Sequence, residues 1–202
     1  MNLRLKFREH FRENRIQYCM VAALFTLGLI MGALKAGDLE GGVKERLLEM
    51  IDLYLGEQQG VYGPAVFVSA LLNQGRFILA IWALGLTVIG IPLILAVVFM
   101  RGFSLGFTAG FLFQEKAAQG VLLTFISLLP QNLIYVPVLL IASVIAVDFS
   151  LYIVRGRSYN RAPLGVSLLG YTSLVGMLML VFMLGAFIEA YLVSWLLDSF
   201  IK

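Results

Sequence analysis

The chain predicts an all-α fold, a polytopic helical membrane protein of about five transmembrane helices. It also predicts a broken helix at Pro130-Gln131-Asn132 and an external amphipathic helix. Three observations carry this expectation. Of 202 residues, 60% are hydrophobic and only 13% charged, about half the charge with which a soluble domain covers its surface. Mean hydropathy is +0.92. The charges also avoid four long stretches: Ile16–Leu34, Phe77–Met100, Ala117–Val147 and Ala162–Ile188 are uncharged runs of 19, 24, 31 and 27 residues. About 20 apolar residues, rising about 1.5 Å each, span a hydrocarbon core of about 30 Å. Residues 1–202 therefore read as a single integral membrane domain.

The elements follow in order. Residues 1–15 hold Arg4, Lys6, Arg8, Arg12 and Arg15 against Glu9 and Glu13, with Leu3, Phe7 and Phe11 every fourth residue. On a helix that gives an apolar stripe beside an arginine stripe, the pattern of a segment lying in the lipid interface; a solvated basic tail is the plainer alternative. A basic start before an apolar run also suits a signal peptide, but 19 uncharged residues exceed a signal's apolar core and no small-x-small cleavage site closes them. Residues 16–34 are read as the first span, and the basic start places the N-terminus in the cytoplasm. Segment 35–76 is then external and acidic. Within it Val43, Leu47, Ile51 and Tyr54 share one helical face and Glu45, Glu49 and Asp52 another, a 3.6-residue period that means an amphipathic helix on the outer membrane surface.

The second span, 77–100, returns to Arg101, and 102–120 crosses outward to Glu115 and Lys116. Its apolar part, Gly102–Gln114, rises only about 20 Å as a helix, so it either continues past Glu115 or dips in as a half-helix. Residues 121–154 are too long for one straight crossing. Proline removes a backbone donor and clashes with the carbonyl four residues back, so Pro130-Gln131-Asn132 is expected to break the helix between a half-helix, 121–129, and a span, 133–154, with Pro137 near its start. Unsatisfied polar groups in lipid cost several kcal/mol each, so the break must be buried or wet; the two amides are expected to bond the freed carbonyls. Arg155, Arg157 and Arg161 make a cytoplasmic loop, 162–188 crosses outward, and 189–202 is an external tail. Glu189 then falls at the outer interface, with Tyr191 and Trp195 in an aromatic belt.

Chemistry-bearing patterns are sparse. Gly102, Gly106 and Gly110 form small-xxx-small steps, as do Gly28 and Gly32, which let helix backbones approach closely, within one subunit or in a homodimer. Asp148 is an intramembrane acid, by default an ion-pathway candidate, yet it lies near the cytoplasmic loop and reads as an interfacial anchor. The acids at 45, 49 and 52 read as a solvated face. A lone Cys19 excludes an internal disulfide, and a lone His10 without ligand-spaced acids suggests no metal and no cofactor. The net charge of +3 comes from basic residues at the ends of apolar runs, which argues against nucleic acid. No G-x-S-x-G, H-E-x-x-H or Walker A pattern occurs, and no positioned acid–base pair can be assembled, so the chain is not expected to be an enzyme.

Leu129-Pro130-Gln131-Asn132-Leu133 followed by Pro137 resembles the signature of the stage II sporulation protein M family. Arg101-Gly102-Phe103, Gly106-Phe107 and Gly110-Phe111 are similar to that family's pattern, as are Gly85, Gly90, Pro92 and the terminal Glu189-Ala190-Tyr191. Wider relatives carry histidine and glycine where Gln131 and Asn132 stand, so the likeness is to the endospore-former branch. The resemblance implies a scaffold of engulfment in the mother-cell membrane around the forespore. It would anchor two peptidoglycan hydrolases, the stage II sporulation proteins D and P. Partner contacts would then come from the outer elements, with Leu47, Ile51, Tyr54, Glu189 and Tyr191 as candidates. The rival reading is a permease-like transporter or channel domain, partnered with a separate ATPase, because broken helices at mid-membrane are common in transporter sites.

Overall fold

A computed structural model describes residues 12, 14–58, 63–154 and 164–193. Among them there is no strand, and five helices are long and apolar enough to cross a membrane: 15–37, 66–85, 90–115, 120–154 and 164–192. The protein is an all-α, multi-pass membrane protein. The basic stretch 1–11, the loop 155–161 and the tail from 194 onward lie outside the described residues.

Helix α1, Arg15–Gly37, buries Val21, Phe25, Gly28, Gly32 and Ala36, one stripe at helical spacing. Helix α2, Gly41–Gln58, is the expected amphipathic helix. Helix α3, Pro64–Gly85, starts with proline at its first position, behind Gly63 at φ 110°. Proline there forfeits no hydrogen bond, and only glycine takes that φ without strain.

The expected span 77–100 is not one helix. The turn Leu86–Ile89 divides it between α3 and α4, Gly90–Leu123. Thr87 Oγ1 donates to the Leu84 carbonyl at 2.8 Å, the Gly90 amide donates to the Thr87 carbonyl, and a methyl built on Gly90 would overlap the Leu84 carbonyl. Ser150 Oγ closes the turn from outside, donating to the Thr87 carbonyl at 2.7 Å. The break is uncharged, which hid it. Gly102–Gln114 is accordingly not a half-helix; its helix runs on past Glu115 to Leu123, and it is the second half of a span of 26 residues, 90–115, about 39 Å long. Residues 64–76, expected outside, belong to α3.

Pro130-Gln131-Asn132 is not a non-helical break either. Residues Thr124–Leu128 form a π-helical turn that leads directly into α5, Leu129–Val154, with Pro137 inside it. Lipid provides no partner for open backbone, so the distortion is taken up as one widened turn just upstream of the proline, where the ring needs room. Asn132 Nδ2 donates to the Leu128 carbonyl at 2.7 Å, and Thr124 Oγ1 to the Gly120 carbonyl at 2.8 Å. Val98 and Val144 share one core cluster, with Leu105 and Val136 packed on it, so the chain doubles back between the spans 90–115 and 120–154.

Helix α6, Leu164–Phe187, continues into a π-helical segment, Ile188–Val193. The last span therefore ends at Leu192, and Glu189 lies within it rather than beyond it. Helix α5 is the central element: 56% of its most apolar 18 residues are buried, against 22–28% for the other spans, as befits a helix apolar round most of its circumference. Its Tyr135, Val138, Leu139, Ala142, Ala146 and Phe149 pack with Ile78 and Ile81 of α3, Ile94 of α4, and Tyr171, Val175 and Phe182 of α6.

Helices α1 and α4 run parallel. Methyls built on Gly102, Gly106 and Gly110 would meet the backbone of Phe25, Leu29 and Ala33 in turn, and methyls on Gly28 and Gly32 would meet the carbonyls of Phe99 and Phe103. Contacts advancing four residues at a time on both helices mean backbone-to-backbone packing, the small-residue geometry of membrane helix pairs. The expected glycine motif thus serves packing within one chain. Phe99, Phe103, Phe107 and Phe111 form a ladder along α4, with successive ring centroids 6.3–6.4 Å apart.

Candidate functional site: an intramembrane charge cluster

Arg101 does not mark a membrane boundary. It stands about 16 Å along α4 from Gly90 and about 21 Å from Glu115, the middle of the span. Arg76 stands about 14 Å from Gly85 and about 18 Å from Pro64 on α3. A tight turn joins α3 to α4, so the two arginines lie at one depth. They flank the same ring: the guanidinium carbon of Arg101 is 4.4 Å and that of Arg76 5.2 Å from the Phe77 centroid.

Glu189 supplies the opposing charge. Its Oε2 accepts a hydrogen bond of 2.8 Å from the Tyr135 hydroxyl, and it is within electrostatic range of Arg101, as are Arg76 and Tyr135. The Tyr135 ring stacks on Phe182 with centroids 4.4 Å apart. It can do so because Gly185 has no side chain; a methyl there would lie within 3 Å of two Tyr135 ring carbons. A cavity of about 10 Å³ is lined by Gln74, Arg101, Asn132 and Tyr135 among apolar neighbours, about the size of one water. Side-chain oxygens of Gln74, Gln131 and Asn132 are buried without a hydrogen-bond partner. An arginine at the centre of a membrane helix costs about 2.5–3.5 kcal/mol on insertion scales, so two arginines, a carboxylate and three amides here are a costly concentration of polarity.

The expected site residues are distributed as follows. Gln131 is buried at 7% exposure, Pro130 and Asn132 are half-buried, and Pro137 is exposed on α5. Of these, only Asn132 lines the cavity. Gly102, Gly106 and Gly110 form the α1–α4 seam. Leu47 and Ile51 are half-buried on α2, whereas Val43, Met50 and Leu53 are exposed at 44%, 67% and 60%. Tyr54 lies on α2, its side chain outside the described set. Tyr191 is exposed and packs on Phe187 with centroids 4.5 Å apart. Glu189 is drawn inward, so it is not a surface contact, and the structure brings it together with Arg101, not with α2.

Two further ties matter. Asp148 accepts hydrogen bonds from Asn14 Nδ2 at 3.0 Å and Gln17 Nε2 at 3.1 Å, fastening the start of α1 to α5. Lys44 Nζ of α2 pairs with Glu115 at 3.0 Å at the end of α4, both partly covered. Helix α2 makes no extended packing contact with the other helices, so this ion pair is its specific tie among the described residues. Those residues also bring together no group of three metal-ligating side chains.

The sequence pattern of the stage II sporulation protein M family matches residues 21–194, from α1 to the end of the last span. The chain belongs to that family. It is a membrane protein of sporulation, from a family not known for enzymatic activity. No curated protein and no solved structure matches it.

Proposed function

We propose that this family member is a non-enzymatic membrane scaffold of engulfment, anchoring peptidoglycan hydrolases of the stage II sporulation D and P types at the mother-cell membrane around the forespore. The supporting observation is α2. It extends from the Glu115 end of the bundle on one ion pair, with Val43, Met50 and Leu53 exposed. The basic N-terminal residues assign that end to the outside, where the cell wall lies. A bundle fixed in the bilayer and a lightly tethered amphipathic helix beyond it suit a docking platform. Anchoring raises the effective concentration of a bound enzyme without new chemistry.

Affinity purification from sporulating membranes tests this reading. The intact protein should retain both hydrolases, and Met50→Asp with Leu53→Asp should release at least one, since each truncated anchor costs about 1–2 kcal/mol or more. Failure of the intact protein to retain either enzyme, or full retention by the double variant, refutes it. The intramembrane cluster favours a second reading, a permease-like domain working with a separate ATPase. Ion or solute flux in proteoliposomes that is abolished by Glu189→Gln would establish that reading instead.

A further inference from the structure

Helix α3 carries a polar stripe on a lipid-facing surface, running from near the start of its span to the middle. Ser69, Asn73 and Arg76 follow at intervals of four and three, so they share one helical face, and all three are exposed. Leu72 and Leu79, exposed at 67% and 54%, flank them. Asn73 Nδ2 donates to Ser69 Oγ at 3.2 Å, which leaves Arg76 as the charged end of the stripe. Its guanidinium lies against Phe77, whose ring also meets Arg101. Among the described residues no carboxylate stands within ion-pair distance of Arg76, and Glu189 faces Tyr135 and Arg101 instead. A like charge shares the ring and the surroundings are hydrocarbon, so the cation needs an anion at its own depth.

The depth selects the anion. The core is about 30 Å thick, which places lipid phosphates about 15 Å from its centre, farther than an arginine side chain extends. A second copy of this chain is a poor donor, because its Glu189 is turned inward toward Tyr135 and Arg101 and its Asp148 lies near the end of its span rather than at mid-membrane. We infer that the Ser69–Asn73–Arg76 face of α3 docks a transmembrane helix of another protein, one that places an Asp or Glu side chain opposite Arg76 at mid-membrane. Guanidinium and carboxylate match as a two-pronged, charge-assisted pair, and the neighbouring amide adds an interhelical hydrogen bond of the kind that holds membrane helices together. The inference goes beyond the hydrolase reading and stands whatever domain the partner helix carries.

The full chain reconstituted in phosphatidylcholine vesicles provides the test. The probe is a leucine-rich transmembrane peptide of about 21 residues with one central Glu, compared with the same peptide bearing Leu. Association is read by energy transfer between labels. The Glu peptide should associate about tenfold more tightly than the Leu peptide. Arg76→Gln should remove that preference and Arg76→Lys retain part of it. Arg76→Glu should reverse it, preferring a peptide with central Arg; that reversal shows that the variant chain still folds. Equal association of the Glu and Leu peptides with the unaltered chain overturns the inference, as does a preference that survives Arg76→Gln.

Discussion

Substituting Gly106 with alanine probes what holds the bundle together. The added methyl would fall on the Leu29 carbonyl oxygen, with the Leu29 carbonyl carbon and Cα both within 3 Å. These are backbone atoms, so no rotamer change relieves the overlap; α1 and α4 must separate. The seam has contacts at five glycines, and displacement at one loosens its neighbours. Overpacking of this kind costs typically 1–3 kcal/mol, a factor of about 5 to 150 in the folding constant. The chain contains its own control: Gly170 and Gly176 of α6 have nothing within 4 Å of an added methyl, so alanine there should be neutral, or stabilising by its helix propensity of about 1 kcal/mol. Denaturant unfolding of the purified protein in mild detergent gives the comparison. Gly32→Ala combined with Gly106→Ala should cost less than the sum, because helices already separated leave the second methyl room. Equal midpoints for Gly106→Ala and Gly170→Ala would refute the close-packed seam.

Three further outcomes follow from named contacts. Tyr135→Phe deletes the donor to Glu189 and should destabilise the fold by about 1–3 kcal/mol, and Glu189→Gln in the same chain should recover part of the loss in an unfolding cycle. Asp148→Ala removes the acceptor for both Asn14 and Gln17, so backbone amides of the first turns of α1 should exchange hydrogen faster while those of the α4 glycine seam do not. Lys44→Glu should free α2, seen as faster motion of a spin label at Met50, and Glu115→Lys in the same chain should restore the slow state; the pair is partly exposed, so its contribution to stability stays near 1 kcal/mol or below.

The number of crossings was legible in the sequence because span length and charge-free runs set it directly. Their boundaries were not, because charge served as punctuation. Arg101 was read as an end when it is a middle, and the true end was an uncharged turn between Gly85 and Gly90, where a tight carbonyl contact requires glycine. Proline at 130 was legible as a distortion but not as its remedy: in hydrocarbon the chain widens a turn rather than opening its backbone. The glycine periodicity announced close packing correctly but could not name the partner helix. The cluster of Arg76, Arg101, Tyr135 and Glu189 was missed because its members come from four helices and share no local spacing. Two arginines inside stretches able to form apolar helices, beside paired glycines, were the available signal.

The parallel pairing of α1 with α4 constrains biogenesis. Two helices that point the same way cannot form a hairpin, so α1 must leave the translocon and wait for α2, α3 and the intervening turn to be synthesised before its companion arrives. During that interval its glycine groove faces lipid or the insertion machinery. A nascent chain whose α3 has left the ribosome before its α4 would carry an orphaned first helix, open to proteolysis. Nascent chains should therefore change from degradable to protected over the stretch of synthesis that delivers Phe99 to Phe111.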